Sequence, residues 1–478
     1  MRRFAALPLA LAGLALTACQ DEPLVPRLAP VAVKPSLITS GGPYYTGRHV
    51  ISFNGAAEPA GFRQFVADHG GQVEWSSPAA GLAAVSGLSD ANAQALAGTP
   101  GIAAVDADEL IVLEAPQVLA DQVEAVSDQV ESPTNPAAAF FFARQWNLRQ
   151  VQANTAWAAG RLGSPNVSVY ILDSGIDPSH LDLQGRVDGT RSVDLLGTFT
   201  VSGVSFTERD TVAKYFPGRP AYTDLLFHGT HVGATVSSNA VAAAGVTSMT
   251  RLVAVKVCAY LNVCPFSSIL NGVLYAADNG ADVVNMSLGG NFSKAGNGRF
   301  VGLINKTFNY ARSRGVTIVV SAGNSAIDMD HDGNAYKTYC STPATVCVAA
   351  TGPTAQGSVN GPWTNPDAPA TYTNFGRSAI NLAAPGGNVN TFVWAACSRT
   401  SLVIPLCRTG TFIVGAQGTS MAAPHVSGAA ALLVEDLGRN PGLIRSRLQQ
   451  TADNVAGNGT SPFYGKGRVN VARAAGVI

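Results

Sequence analysis

The chain has 478 residues, 46% of them apolar and 13% charged, with 31 basic residues against 31 acidic ones. That composition excludes a disordered chain and leaves room for a large buried core with a smaller accessory domain. The charge balance gives no reason to propose a nucleic-acid partner.

The N-terminus reads Met1-Arg2-Arg3, then an apolar stretch from Phe4, then Leu16-Thr17-Ala18-Cys19. A short basic region, an apolar core and a small-residue cut site make an export signal over residues 1–18. The stretch is too short for a membrane span, and no later apolar run is long and uncharged enough for one. Leu16-Thr17-Ala18-Cys19 resembles a bacterial lipobox, which implies a lipid on Cys19 after signal cleavage; the alternative is an ordinary signal that happens to contain a cysteine. Residues 19–43 are rich in proline and small residues and read as a linker. Residues 44–114 read as a compact unit: strand-like runs at 49–53, 72–76, 81–85 and 102–105 alternate with two helix-like segments. The second of these opens at Ser89-Asp90, a good capping sequence. Leu110-Ile111-Val112-Leu113 reads as the last strand of the unit. Residues 115–139 are polar, acidic and proline-containing, as a cleavable linker would be. The main body, 140–478, begins its ordered part near Gln145-Trp146-Asn147-Leu148.

In that body the apolar run 167–172 reads as a buried strand that delivers Asp173 to the edge of a parallel sheet, where α/β proteins place their chemistry. Further on, Phe227-His228-Gly229-Thr230-His231-Val232-Gly233 puts a histidine at the start of a small-residue helix. Later still, Gly418-Thr419-Ser420-Met421-Ala422-Ala423-Pro424-His425 opens another helix with a serine at its positive end, where a hydroxyl can act as a nucleophile. Each has a bland reading alone: a strand-end cap, a packed histidine, a serine N-cap. An acid, a base and a hydroxyl, each at an element terminus, are harder to obtain together by accident.

The three segments, in the order Asp…His…Ser, resemble the subtilisin-like serine peptidases, whose order differs from the trypsin-like and α/β-hydrolase orders. Val284-Asn285-Met286-Ser287-Leu288-Gly289-Gly290, Val319-Val320-Ser321-Ala322-Gly323-Asn324-Ser325 and Ala383-Ala384-Pro385-Gly386-Gly387 also stand in the family's order. The resemblance covers about residues 140–478. It implies an α/β fold, a subtilisin-like parallel sheet flanked by helices, and a serine endopeptidase acting on proteins or peptides. Ser420 would attack the carbonyl, His228 would move the proton, and Asp173 would fix the imidazole. Asn324 matches the family's oxyanion donor, with the Ser420 N–H as the second. Ser287, Leu288, Gly289 and Gly290 would pair with an extended substrate, and Ser321, Ala322 and Gly323 would wall the pocket for the residue before the cut. Small walls suggest a large apolar side chain there. His231 and His425 are expected to be structural.

Residues 44–114 resemble the family's propeptide, a small α+β ferredoxin-like domain that inhibits the enzyme and assists its folding. A plain βαββαβ interaction domain is the alternative. The resemblance implies a self-processing zymogen with its own propeptide as intramolecular inhibitor. It implies no catalytic cofactor, a monomer, and export to the cell envelope, the exterior or both. The order anchor, inhibitor, enzyme implies that the lipid tethers only the zymogen.

Six of the seven cysteines fall as Cys258/Cys264, Cys340/Cys347 and Cys397/Cys407. In an exported chain that suggests three local disulfides, although other pairings are formally open. Thiolate metal binding is disfavoured because no histidines sit at ligand spacing. Asp328, Asp330 and Asp332, in an Asp-x-Asp-x-Asp-Gly run, offer alternate carboxylates to calcium, but Tyr339 stands where a full calcium loop has its glutamate. Asp182 is a lesser calcium candidate. An apparent insertion covers 187–224. Two rival functions remain: a silent binding protein, which the intact Asp173, His228, Ser420 and Asn324 argue against, and an acyl transferase or ligase, which would need the same residues.

Overall fold

The computed structural model of the chain describes residues 44–114, 122–126, 131–289, 291–293, 298–337, 339–457 and 459–478. The expected signal segment, Cys19, the linker 19–43 and Gly290 lie outside the described residues.

The N-terminal unit runs β1 (Tyr45–Phe53), α1 (Phe62–Asp68), β2 (Gln72–Ser77), β3 (Leu82–Ser86), α2 (Asp90–Ala97) and β4 (Ile102–Val112). The strands are antiparallel in the order β4-β1-β3-β2, the ferredoxin-like arrangement. Strand alternation turns Ile51, Phe53, Ala83, Val85 and Val105 to one face, where Phe62, Val66, Ala93 and Leu96 of the helices cover them. The Ser89 side chain caps α2 by accepting the Asn92 N–H at 3.3 Å.

The main body contains β5 (Val123–Ala125), β6 (Ser168–Asp173), β7 (Val193–Asp194), the hairpin β8 (Thr198–Val201) and β9 (Val204–Thr207), α3 (Glu208–Tyr215), α4 (His228–Val236), β10 (Arg251–Lys256) and β11 (Val263–Pro265). It continues with α5 (Phe266–Asp278), β12 (Val283–Met286), α6 (Gly298–Ser313), β13 (Thr317–Ser321), β14 (Thr345–Thr351), β15 (Leu382–Pro385), β16 (Val393–Ala396), β17 (Phe412–Ala416) and α7 (Thr419–Leu437). Seven strands form one parallel sheet in the order β15-β14-β13-β12-β6-β10-β7. Strands β6, β12, β13 and β14 are buried at every position, and β10 at all but Arg251, which is why they read as largely apolar runs. Helix α7 packs along β12 to β15 with α4 beside it, while α5 and α6 pack on each other. The subtilisin-like α/β fold expected from the sequence is what forms.

Two departures bear on function. The insertion supplies β7, an edge strand of the main sheet, and a hairpin whose β8 lies against β1 of the N-terminal unit. The 115–139 linker is not loose throughout either. Its residues Val123–Ala125 pair antiparallel with β17, and Arg144 behind them lies buried over the rings of Phe141 and Trp394, 3.1 Å from Glu124.

Candidate active site

Asp173 ends β6 and is fully buried. Its Oδ1 lies 2.8 Å from His228 Nδ1 and accepts the Ser174 N–H at 2.7 Å, so the histidine donates from Nδ1 and leaves Nε2 free of the carboxylate. His228 opens α4, as the sequence suggests. The turn before it is held by a residue that the motif reading missed. The buried Asp224 carboxylate accepts from the Leu226 and Phe227 N–H groups, from Ser174 Oγ, and from the Thr230 N–H and hydroxyl, at 2.6–3.1 Å. Burial pushes its carboxyl pKa up, against the pull of those bonds. The network holds Phe227 at φ 146°, a conformation that a side chain seldom adopts. Gly229 follows for a steric reason: a Cβ there would stand 2.1 Å from the Gly175 oxygen.

Ser420 lies in the first turn of α7 and is 3% exposed. Its hydroxyl donates to the Ser287 carbonyl at 3.1 Å, and Ser287 Oγ donates back to the Ser420 carbonyl at 2.8 Å. Asn285 joins this link to Ser427, further along α7. His228 Nε2, buried, has no hydrogen-bond partner among the described residues. The Ser420 hydroxyl turns about one bond between staggered positions, and such contacts often close only when substrate is bound.

Asn324 follows β13. Its Oδ1 accepts both the Thr419 N–H (2.8 Å) and the Thr419 hydroxyl (2.9 Å), which turns Nδ2 toward the cleft. There Nδ2 lies 3.4 Å from the backbone oxygen of Glu114. Thr419 Oγ1 also accepts the Gly323 N–H. Asn374 supports the same loop, donating to the Ala322 carbonyl and accepting from the Ser325 and Ile327 N–H groups. Neither Thr419 nor Asn374 was singled out from sequence. Thr419 sits inside the serine motif, and a threonine beside a nucleophile is a signal that could have been read; Asn374 carries none. Ser287, Leu288, Ser321, Ala322 and Gly323 are buried and Gly289 is half-buried; Ser287 is tied to Ser420 and the Gly323 N–H to Thr419.

His231 and His425 are buried and do structural work. His231 Nε2 donates to the Val393 carbonyl; His425 donates from Nδ1 to Met421 and accepts from Asn147 at Nε2. Burial pushes their pKa values down to about 3 and about 4.

The cysteines form Cys258–Cys264, Cys340–Cys347 and Cys397–Cys407. The calcium expectations find no support. No cluster of three or more metal-binding side chains occurs among the described residues. Asp328 binds His331, Asp330 accepts from the Arg377 and Ser378 main chain, and Asp332 joins neither in a cage. The buried Asp182 carboxylate accepts the N–H groups of Val241, Ala242 and Ala243.

The N-terminal unit reaches this site. Val263–Pro265 adds to its sheet as a fifth strand, paired antiparallel with Leu110 to Val112. The buried Asp108 carboxylate accepts from the N–H and hydroxyl of Ser267 in the first turn of α5 and from Thr46, the favourable place for an anion on a helix. Arg48, also buried, donates to the carbonyls of Leu196 and Thr198 in the insertion.

Residues 164–467 match the model of the Subtilase family. Thermitase of Thermoactinomyces vulgaris is 30% identical, over 72% of this chain and 99% of its own sequence. Subtilisin of Bacillus pumilus is 31% identical, over 69% of this chain and 98% of its own. The crystal structure of the epidermin leader peptide processing serine protease of Staphylococcus aureus superposes with a TM-score of 0.65 at 20% identity, covering 91% of this chain and 98% of that one. At that identity the last comparison speaks for the fold alone.

Proposed function

The chain belongs to the subtilase family and is a serine endopeptidase, and on that premise we propose that it is exported as a zymogen that cuts itself free of its N-terminal unit. In this reading His228 Nε2 takes the Ser420 proton as the hydroxyl attacks a peptide carbonyl, then gives it to the leaving amine. Asp173 holds the imidazole tautomer and stabilises its charged form. Asn324 Nδ2 and the Ser420 N–H receive the oxyanion. Ser287 to Gly290 and Ser321 to Gly323 hold the substrate chain.

The observation that carries the reading is the Asp173–His228 contact of 2.8 Å, together with an Asn324 amide that Thr419 aims at the backbone oxygen of the chain's own Glu114. The buried Asp108 and Arg48 contacts support an inhibitory role for residues 44–114. Cys19 carries a lipid in this reading, so cleavage releases the peptidase from the membrane and leaves the anchor on the N-terminal fragment.

The Ser420→Ala variant is expected to accumulate as uncut precursor. Efficient self-processing by that variant would contradict the reading. Metabolic lipid labelling is expected to mark the precursor and the N-terminal fragment; label that stays on the peptidase fragment would refute the release step.

A further inference from the structure

The last residues of the N-terminal unit pair in register with Val263–Pro265 and end at Asn324. Leu110 faces Pro265, Ile111 faces Cys264 and Val112 faces Val263; the Leu113 N–H then donates to the Asn262 carbonyl at 2.8 Å. Burial alternates as in any strand on a surface: Ile111 and Leu113 are buried, Val112 and Glu114 exposed. At Glu114 the backbone oxygen faces Asn324 Nδ2 at 3.4 Å. Its carboxylate accepts the Asn324 main-chain N–H at 2.9 Å and lies 3.4 Å from the Ser325 hydroxyl.

We propose that the bond after Glu114 is the first bond this enzyme cuts, and that its site for the residue before the cut takes a glutamate, held by the Asn324 N–H and the Ser325 hydroxyl. The inference rests on the roles proposed above for Ser420 and Asn324. It replaces the large apolar residue suggested by the small pocket walls. Two donors converge on the carboxylate, and an apolar side chain laid in the same place would cover the Asn324 N–H without offering an acceptor. The chemistry balances with water alone. Ser420 Oγ bonds to the Glu114 carbonyl carbon as its proton passes to His228. The C–N bond to the next residue breaks, and the amine leaves with that proton. Water then splits the ester, leaving a Glu114 carboxylate and the free serine.

The test uses the full chain and a peptide series. Mass spectrometry of the earliest fragments is expected to show an N-terminal piece ending at Glu114 and a partner beginning at Ala115, the next residue in sequence. With Leu-Ile-Val-Leu-Xaa p-nitroanilides, kcat/KM for Xaa = Glu should exceed that for Gln, Phe or Lys by about tenfold or more, the worth of one charged hydrogen bond. Ser325→Asp should abolish the Glu advantage over Gln while the Gln peptide is still cut, and Ser325→Thr should restore it. A first cut elsewhere, or faster cleavage after Phe than after Glu, overturns the inference and leaves the peptidase reading intact. Failure to cut any of the peptides or the chain itself would remove both.

Discussion

At the scale of single residues, the proposed chemistry depends on how the amide of Asn324 is aimed. An asparagine can present either end, and here both the N–H and the hydroxyl of Thr419 claim its oxygen. Replacing Asn324 with alanine should lower kcat by about 10²–10³, the loss known for the equivalent donor in subtilisin, a member of the same family. Thr419→Val should cost about tenfold in kcat, because one of the two aiming bonds is lost. KM should change little, and Thr419→Ser should recover most of the activity. Steady-state kinetics on one peptide substrate checks both; an unchanged kcat in Thr419→Val would mean that the main-chain bond aims the amide alone. Asp173, His228, Ser420 and Asn324, the residues of the proposed chemistry, stand out in the sequence because their neighbours are small residues in fixed order. Asp224, Thr419 and Asn374 do not, because they act through hydrogen bonds to backbone that only the folded chain brings near.

At the scale of elements, the start of α4 carries the tightest constraints. Asp224 receives five hydrogen bonds in a site without water access, and Gly229 has no room for a methyl group against Gly175. Asp224→Ala should lower stability by about 3 kcal/mol or more, since buried donors lose their acceptor. Gly229→Ala should lower kcat more than stability, because the displaced helix start carries His228 away from Asp173. Denaturant midpoints and kcat, measured on the same preparations, separate the two effects. The disulfide Cys258–Cys264 closes the loop that carries β11, the strand on which Leu110 to Val112 lies. Replacing both cysteines with serine should cost about 2 kcal/mol by the entropy of a short loop, and reductant should then shift the midpoint only through Cys340–Cys347 and Cys397–Cys407.

The elements of the sheet were readable because buried parallel strands are unbroken apolar runs and their ends carry the polar motifs. The insertion was visible only as extra length. Nothing in residues 187–224 announces an edge strand or a hairpin that receives Arg48. The strand at Val123–Ala125 was hidden for a similar reason: three residues carry no periodicity, and the partner β17 that makes them a strand lies far along the chain. The acidic run at 328–332 has the spacing of a cation loop, and spacing does not tell that Asp330 accepts the main-chain N–H groups of Arg377 and Ser378.

At the scale of the whole molecule, two buried histidines set a pH limit. In the unfolded chain their pKa is near 6.5, whereas burial holds them at about 3 and about 4. Below pH 6.5 the unfolded chain therefore binds two protons that the native chain refuses. Stability should fall as pH drops from about 6.5 to about 4, by up to about 1.4 kcal/mol per pH unit for each histidine, and should not depend on them above that window. In the Ser420→Ala background, which cannot digest itself in this reading, His425→Gln should remove about one proton from that slope. Equal slopes with and without the substitution would show that His425 is protonated in the native protein.

The N-terminal unit has its own small core, yet its buried charged groups Asp108 and Arg48 find partners in the main body. A domain built to stand alone would not aim its charges outward in that way. This supports a chain whose first task is on itself, and the account turns on Ser420 as the atom that performs it. The most direct measurement is labelling with a tagged fluorophosphonate, followed by peptide mapping, on the self-processed wild type and on the Ser420→Ala and His228→Ala variants. The account predicts one label per wild-type molecule on the peptide containing Ser420, lost in both variants, with casein hydrolysis lost in parallel. Labelling at another residue, or casein hydrolysis that survives Ser420→Ala, would contradict it.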